Sequence, residues 1–392
     1  MNTVAVISEY NPFHKGHKYQ LDEIKRIFPD AVTISIMSPN FVQRGCPAVF
    51  DKYVRGECAV KGGADLALSM PQVHALLSAE GFAEGGIRLA NELGATHIAF
   101  GVELLDKDLL INIAKILIDP DFDKLIQKEL ASAPSLSYPV IRERALKKAI
   151  GEDASAFIKT PNNILAVEYV KAIIRFAPHI EILPIKRIGN AHLDLSSHGM
   201  ILSATAIRQL MKENKEFLDK LPEEIRPTVI SANKFDFERY EELLCSVVFS
   251  KKREDILRCS GSVELTDIIY KNVQKYPDFN SFRNSLSRRK HTETKIDRVL
   301  TNILLDIVFD EYLHKKPKYT TLLAMNSKGK EIISSLRKSA EIVFISRGAD
   351  GKKYAPEGIE VEILADIVYG RCMKTPNNGG HFLKKKPYIC EE

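Results

Sequence analysis

The sequence lacks the features that mark a secreted, membrane-bound or zinc-stabilised protein. It has no long apolar run, no low-complexity tract and no basic N-terminal segment, and the apolar residues 4–7 are too few for a signal peptide or a membrane span. Its six cysteines are scattered and form no Cys-x-x-Cys pair, which argues against a zinc ribbon and against a disulfide framework. We therefore expect a cytoplasmic globular protein with reduced thiols and no membrane contact.

Two common nucleotide-binding motifs are missing as well. There is no Gly-x-Gly-x-x-Gly after the first predicted strand and no Gly-x-x-x-x-Gly-Lys-Ser/Thr anywhere, which argues against a standard dinucleotide site or a P-loop. The net charge of +5 is small and favours an anionic partner only weakly. With 392 residues, the chain is long enough for two or three domains.

The most informative stretch lies near the start of the chain and joins a predicted strand to a predicted helix. Residues 3–7 form an apolar run typical of a buried strand, and residues 18–28 have the apolar spacing of an amphipathic helix. The loop between them carries His14, Gly16 and His17. A helix N-terminus favours an anion, glycine allows close approach of the backbone, and imidazoles can donate hydrogen bonds to a phosphate. The alternative is a surface loop with two unrelated histidines.

The first part of the chain alternates between strands and helices. Further strands are predicted at residues 31–37, 65–68, 96–101 and 180–187, and helices at residues 51–62 and 78–93. This alternation predicts an α/β fold with a doubly wound parallel sheet, in which the loop of His14 and His17 takes the usual nucleotide-binding position.

We predict three domains, with boundaries near Pro222 and after the Lys315–Lys316–Pro317 sequence. Residues 1–220 form the α/β domain, residues 221–316 a helical and basic domain, and residues 317–392 a small α/β module. The basic residues of the second domain are Arg283, Arg288, Arg289, Lys290, Lys295 and Arg298, and the third adds Lys384, Lys385 and Lys386. The interleaved aromatic residues Tyr276, Phe279 and Phe282 either stack on RNA bases or belong to the core, and the sequence leaves both open.

Two further polar clusters stand at predicted helix starts. Asn162 and Asn163 precede the apolar helix 164–176, where they either cap the helix or bring an amide to a nucleotide base. Ser203 and Thr205 open a helix that reaches about residue 211, and their hydroxyl and N–H groups can hold a polyphosphate. Arg208 lies about one turn further on, within reach of the same anion. Capping plus a solvated arginine remains the alternative.

Together these pieces resemble the nucleotidyltransferase superfamily that carries the His-x-Gly-His signature. Its second motif, Ile-Ser-Ser-Thr-x-x-Arg, is matched loosely by residues 202–208. Within the superfamily the chain is most similar to the tRNA(Met) cytidine acetate ligase family, on the stretches 9–17, 38–45, 161–166, 186–187 and 203–208. One stretch departs from the family pattern, because Asn190-Ala191-His192-Leu193-Asp194 stands where an aromatic residue followed by His-Asp is expected.

The resemblance implies a Rossmann-like fold and ATP as co-substrate, bound along residues 7–20 with a few later positions. The implied ATP-binding residues are Ile7, Ser8, Glu9, Tyr10, Asn11, Pro12, Phe13, His14, Lys15, Gly16, His17, Lys18, Tyr19, Gln20, Gly101, Asn162, Arg187, Ile188, Ser203 and Thr205. His14 and His17 would contact the α-phosphate, and Arg208 would hold the departing phosphates. Mg²⁺ is expected to bridge these phosphates, and no residue set is predicted to ligate a metal.

The function that the resemblance implies is the ATP-dependent acetylation of N4 in the wobble cytidine of elongator tRNA(Met). Acetate would first be joined to AMP, with release of pyrophosphate. One alternative is a small-molecule adenylyltransferase acting on nicotinamide mononucleotide or phosphopantetheine, which the His-x-Gly-His loop alone permits. Another is an RNA-binding module whose nucleotide site senses a ligand without turnover.

Overall fold

The computed structural model describes residues 2–188, 201–287, 291–354, 356–377 and 384–391. Residues 190–194, which differ from the family pattern, and the basic residues 288–290 lie outside these ranges. In the described ranges no helix combines the length and the apolarity that a membrane span requires.

One sheet organises the described structure. Its strands are β1 (Thr3–Ser8), β2 (Val32–Met37), β3 (Leu66–Ser69), β4 (His97–Val102), β5 (Glu181–Lys186), β6 (Tyr319–Met325), β7 (Val343–Ile345) and β8 (Tyr388–Ile389). The spatial order is β5-β4-β1-β2-β3-β6-β7, with β8 beside β6. The first five strands are parallel, so the predicted doubly wound α/β fold is confirmed.

Helices cover both faces of the sheet and form a separate cluster beside it. In the described part they are α1 (Lys15–Ile27), α2 (Lys52–Lys61), α3 (Gln72–Ala75), α4 (Ala79–Glu92), α5 (Lys107–Leu117), α6 (Pro120–Ser132), α7 (Tyr138–Ile150), α8 (Glu152–Phe157), α9 (Pro161–Phe176), α10 (Ala204–Lys212), α11 (Arg226–Ser231), α12 (Phe237–Ser250), α13 (Arg253–Ser260), α14 (Val263–Val273), α15 (Phe279–Leu286), α16 (Glu293–Leu305), α17 (Ser327–Ser339), α18 (Gly348–Tyr354) and α19 (Ile359–Arg371). Short 3₁₀ turns lie at Leu218–Lys220 and Glu223–Ile225.

The two faces of β1 feed two different cores. Ala5 and Ile7 pack with the helices α4 and α9, whereas Val4 and Val6 pack with α1 and α2. This division follows from the alternation of side chains along a strand. Because both faces are covered, the residues 4–7 within β1 are all apolar, and polar residues stand only at its first and last positions.

The strands beyond residue 317 complete the same sheet. β6 pairs antiparallel with β3, with Leu66 opposite Met325, and β7 and β8 then add to β6 in parallel. The C-terminal segment therefore extends the sheet of the first segment. The proposed domain boundaries at residues 220 and 316 stay a prediction.

Two predicted helix starts were wrong. Helix α1 begins at Lys15 rather than near residue 18, because the His14 side chain caps it. Helix α9 begins at Pro161, so Asn162 and Asn163 lie inside its first turn and do not cap it. Proline suits this first position because its ring fixes a helical φ and its missing N–H would be unpaired there.

In the helical cluster, the three aromatic residues that were candidates for base stacking pack in or against the core. Phe282 is fully buried, and Tyr276 and Phe279 pack partly buried against the same cluster. Arg283 makes two 2.7 Å hydrogen bonds to the carboxylate of Asp297, and Arg298, on α16, is half-buried. Stacking on bases is therefore not a role for Phe282.

Candidate active site

The sequence motifs meet at the carboxyl end of the parallel strands. β1 pairs with β2 on one side and with β4 on the other, so consecutive connections leave it in opposite directions. In open α/β sheets this switch point forms the ligand crevice. The loop 9–14, the end of β4 and the start of α10 all border it.

The first motif is the stretch of residues 7–20 around the His-x-Gly-His signature, and its two histidines cap helix α1 reciprocally. His14 Nδ1 accepts a hydrogen bond from the N–H of Gly16 at 3.0 Å, and His17 Nδ1 accepts one from the N–H of His14 at 3.2 Å. The imidazole rings stack with their centroids 3.7 Å apart. Both Nδ1 atoms are therefore occupied as acceptors, which leaves the proton of each neutral ring on Nε2.

The surroundings keep both rings neutral. Burial lowers the pKa of His14 to about 3, and the charges of Arg187 and Arg208 act in the same direction. Burial also lowers the pKa of His17, with His14 and Arg187 contributing. Each ring thus offers one fixed Nε2–H donor at neutral pH, at the N-terminus of helix α1, where the helix dipole favours an anion. This arrangement suits the oxygens of a phosphate.

Gly16 is needed for the histidine cap. A Cβ atom at this position would lie 2.8 Å from Cε1 of His14, closer than side chains approach one another. The glycine thus gives room to the imidazole within the protein itself, a role that the sequence did not reveal.

Several residues of the first motif point into the core. The side chains of Ile7, Tyr10 and Phe13 are buried, and the Asn11 amide oxygen accepts the N–H of Val49 at 2.9 Å. Pro12 is buried as well. Contacts of these residues with a nucleotide would have to come from the backbone, and their assignment as ATP-binding residues stays a prediction.

The second motif docks on the first. Arg208 Nη1 donates to the carbonyl oxygen of Asn11 at 2.6 Å, and its Nη2 donates to Thr205 Oγ1 at 3.0 Å. Ser203 caps helix α10 by accepting the N–H of Ala206 at 3.2 Å, as the sequence predicts. Arg208 thereby borders the crevice, and among the described ion pairs its guanidinium group has no carboxylate partner within 4 Å.

Strands β4 and β5 supply the opposite wall. Gly101 lies opposite Ile185, and a Cβ on Gly101 would come within 3.1 Å of Arg187 Cγ, so the glycine lets the arginine lie across the strand. Arg187 and Ile188 are exposed at the end of β5. Gln20 reaches the same wall from α1, with Nε2 3.4 Å from the carbonyl oxygen of Ala99.

Asn162 joins this wall through a residue that sequence reasoning missed. Its amide nitrogen donates to Glu103, which also accepts the Thr160 hydroxyl at 3.0 Å. The N–H of Glu103 in turn donates to Asn163 Oδ1 at 3.0 Å. Glu103 directly follows β4, and a polar residue at the carboxyl end of a parallel strand was the signal that could have identified it.

The two lysines of the first motif, Lys15 and Lys18, lie at the edge of the crevice. Lys18 pairs with Asp22 at 3.1 Å and with Glu224 at 3.3 Å, so its ammonium group is directed along the outside of α1. Lys15 is exposed, and Tyr19 packs partly buried against the core. Ser8 and Glu9 are half-buried where β1 ends.

A buried arginine holds the first motif in place. Arg55 Nη1 donates to the carbonyl oxygens of Glu9 at 2.6 Å and Ser38 at 3.0 Å, and Nε donates to Phe50 at 2.9 Å. The guanidinium group thus ties the ends of β1 and β2 to helix α2. Nothing in the sequence around Arg55 distinguishes it from a surface arginine of a helix.

The fold and the site define a nucleotidyltransferase of the His-x-Gly-His type. A family model described as HIGH nucleotidyl transferase matches residues 1–382. The tRNA(Met) cytidine acetate ligase of Acetivibrio thermocellus is 32% identical over 96% of this chain and 96% of its own length. That of Thermosipho melanesiensis is 34% identical over 88% of this chain and 84% of its own. The chain belongs to the tRNA(Met) cytidine acetate ligase family.

Solved structures agree with this assignment. The apo crystal structure of Thermotoga maritima TmcAL superposes with a TM-score of 0.92 at 27% identity, covering all of both chains. A second structure of that protein, bound with alpha-thio ATP, gives a TM-score of 0.90 at 26% identity over 99% of both chains.

Proposed function

We propose that this protein uses ATP to activate acetate and transfers the acetyl group to the wobble cytidine of elongator tRNA(Met). The observation that carries the proposal is the pair of neutral, stacked imidazoles whose Nε2–H donors stand at the N-terminus of α1 beside Arg187 and Arg208. Membership of the acetate ligase family and the ATP analogue bound to the T. maritima structure support the choice of substrates.

In the first step an oxygen of acetate attacks the α-phosphorus of ATP, and the bond to the departing pyrophosphate breaks. No covalent intermediate with the protein is required. The Nε2–H groups of His14 and His17 donate to the α-phosphate oxygens as their negative charge grows. Because the two rings are capped and stacked, they need no reorganisation when the transition state forms.

Arg208 and Arg187 hold the triphosphate from two sides. Arg208 is anchored to Asn11 and Thr205, so its guanidinium group is already oriented when the nucleotide arrives. Glu103 fixes the Asn162 amide on the side of the crevice where the nucleoside lies in this proposal. The described residues contain no group of three or more His, Cys, Asp or Glu side chains that could hold a metal ion. We therefore propose that Mg²⁺ arrives on the phosphates of ATP.

In the second step the N4 amino group of cytidine attacks the acetyl carbonyl carbon, and AMP leaves. Acetyl-adenylate is a reactive mixed anhydride, so water has to be excluded until the base arrives. The exocyclic amine of an anticodon base becomes accessible when the loop presents it unstacked.

The test is incubation of the protein with radiolabelled acetate, ATP and total tRNA. The proposal expects label in a single tRNA species, as N4-acetylcytidine, together with release of pyrophosphate. Release of pyrophosphate with nicotinamide mononucleotide or phosphopantetheine, and none with acetate, would instead support a small-molecule adenylyltransferase. Failure to turn over ATP with any of these acceptors would support the ligand-sensing module.

A further inference from the structure

The carboxylate of Glu9 stands in the phosphate-binding loop, where an acid has no obvious use for binding ATP. It follows β1 directly, and the side chain is half-buried. The charges that attract it most are those of Arg44, then Arg208 and Arg55, and the N–H of Gln43 donates to it. Neither Glu9 nor Arg44 belongs to an ion pair within 4 Å in the described part of the chain. A carboxylate that repels triphosphate in such a place calls for a different ligand.

The backbone around Glu9 is fixed, so its side chain has a defined direction. Arg55 holds its carbonyl oxygen at 2.6 Å. The next residue, Tyr10, has a φ of 47°, a left-handed conformation that is costly for a tyrosine. This turn sends the Tyr10 ring into the core, where its hydroxyl lies 3.2 Å from Ser35 Oγ. The side chain of Glu9 is thereby left facing the loop that carries Gln43 and Arg44.

That loop is held by the helical cluster. Phe41 and Pro47 bridge its base, and Thr301 of α16 donates to the carbonyl oxygen of Gly45 at 2.8 Å. Gly45 has a φ of 79°, and a Cβ there would lie 2.2 Å from the Arg298 backbone nitrogen. The tip of the loop therefore rests directly on α16, with the exposed Arg44 side chain beside Glu9.

An acid beside a basic fork matches the Watson–Crick edge of cytosine. That edge presents the N4 amino group as donor and the N3 and O2 atoms as acceptors. A carboxylate accepts from N4–H, and a guanidinium group donates to O2 and N3. Uracil carries an acceptor, O4, where cytosine carries the amine, so its oxygen would face the carboxylate. The pair of Glu9 and Arg44 thus has the polarity that accepts cytosine and rejects uracil.

We propose that Glu9 and Arg44 form the subsite for the acceptor cytosine, and that the Glu9 carboxylate takes the N4 proton during acetyl transfer. The inference rests on the proposed function, whose acceptor it locates. As the bond from N4 to the acetyl carbon forms, the bond from that carbon to the AMP phosphate oxygen breaks. The proton that N4 loses passes to Glu9, and AMP leaves as the anion.

The surroundings of Glu9 suit a proton acceptor. Burial raises the pKa of this carboxyl group, while the three arginines lower it by a smaller amount. A raised pKa makes the carboxylate a stronger base, which favours proton transfer at neutral pH.

The experiment supplies acetyl-adenylate directly, which bypasses the ATP-dependent step. Transfer to tRNA(Met) transcripts is followed in single turnovers for the wild type, Glu9→Gln and Arg44→Ala. Arg26→Ala is the control for losing an exposed arginine, because Arg26 lies on the outer side of α1, where it pairs with Glu23. Binding is measured in parallel with transcripts that carry cytidine or uridine at the wobble position, and circular dichroism checks that each variant is folded.

We expect Glu9→Gln to lower the transfer rate by ~10²-fold or more, the scale of a lost general base. Arg44→Ala should weaken binding of the cytidine transcript by ~10-fold while leaving the uridine transcript bound as before. Arg26→Ala should behave as the wild type.

Three results would overturn the inference or what it rests on. Transfer by Glu9→Gln at the wild-type rate removes Glu9 from the acceptor site. A Glu9→Gln defect confined to the ATP-dependent step, and relieved by added Mg²⁺, assigns the carboxylate to the metal-bound nucleotide instead. If the wild type itself does not acetylate tRNA from acetyl-adenylate, the proposed function fails, which is a different outcome from failure of the subsite.

Discussion

Arg208 Nη1 donates a hydrogen bond to the carbonyl oxygen of Asn11 at 2.6 Å, although the two residues are 197 positions apart in the chain. This contact joins the second motif to the first and fixes the distance between the arginine and the two histidines. It also means that Arg208 serves two purposes, since the same guanidinium group positions the loop and presents charge to the crevice.

Replacing Arg208 should therefore impair the first step strongly. Arg208→Ala is expected to lower pyrophosphate release with acetate and ATP by ~10²-fold or more, the scale of losing one preorganised donor. Arg208→Lys keeps the charge but cannot reach Asn11 and Thr205 together, so it should recover only a small part of the rate. Arg26→Ala is the control. An Arg208→Lys rate equal to that of the wild type would contradict the need for a guanidinium group that bonds Asn11 and Thr205 together.

The two functions of His14 can be separated by one substitution. His14→Asn keeps a side-chain acceptor for the helix N-terminus but removes the Nε2–H donor, whereas His14→Ala removes both. We expect both variants to lose ~10²-fold or more in pyrophosphate release. Only His14→Ala should also lose about 1 kcal/mol in the free energy of unfolding, measured with urea. We expect His17→Ala to lose a similar factor in pyrophosphate release. Near wild-type rates in both His14→Ala and His17→Ala would contradict a role of the two histidines in the reaction.

The low pKa of His14 predicts acid sensitivity. The unfolded chain protonates this residue below its ordinary pKa of 6.5, while the folded protein resists protonation down to about 3. The unfolded state thus binds more protons over this interval, and stability is lost as the pH falls through it. Between about pH 7.5 and about pH 5, the wild type should lose about 2 kcal/mol more unfolding free energy than His14→Asn. Equal losses in urea titrations of the two proteins would contradict a neutral His14.

Cys46 lies close enough to Glu9 and Arg208 to be considered as a carrier of the acetyl group. Burial raises the pKa of its thiol to about 12, and the charge of Glu9 adds to the effect. The thiolate needed for a thioester is therefore scarce at neutral pH. We expect Cys46→Ser to acetylate tRNA at the wild-type rate. Intact mass spectrometry of the wild type after incubation with acetate and ATP, without tRNA, should reveal no acetyl-protein, and a hydroxylamine-sensitive adduct would argue for direct participation of the thiol.

A buried ion triad anchors helix α19. The ammonium group of Lys52 in α2 bonds to Glu362 and lies 3.2 Å from Asp366, both on α19, and all three side chains are buried. Burial raises the pKa of Asp366 to about 7 even though Lys52 opposes the shift. Lys52→Met leaves the two carboxyl groups without their cation and should cost about 3–5 kcal/mol in urea unfolding. The triple variant Lys52→Met, Glu362→Gln, Asp366→Asn removes all three charges and should recover much of that loss.

Local sequence predicted those parts that short-range interactions specify. The apolar run of β1, the alternation of strands and helices, and the Ser203 cap of α10 each depend on residues close together in the chain. Where prediction was wrong by a few residues, a side chain took an unusual role. His14 caps α1, so the helix begins three residues before the expected position, and Pro161 starts α9 ahead of the two asparagines.

Other features became visible only in three dimensions. Three contacts join segments that are far apart in the chain and carry no sequence signal of their proximity. Glu103 accepts a hydrogen bond from Asn162, and Arg55 links Glu9 to Ser38. The backbone of Gly45 contacts α16. The placement of β6 antiparallel to β3 is of the same kind, because the pairing partner of an apolar strand is chosen by the shape of the whole sheet.

The sequence by itself determined that a strand, a loop with two histidines and a helix follow one another, since the apolar spacing of short segments specifies them. That this loop binds an anion stays a prediction. The tertiary structure decided the protonation state of those imidazoles and which charged residues lie near them. Burial keeps both rings neutral, the charge of Arg187 adds to the effect on both, and the capping bonds place each proton on Nε2. Desolvation and long-range contacts set these properties, and both exist only once the chain has folded.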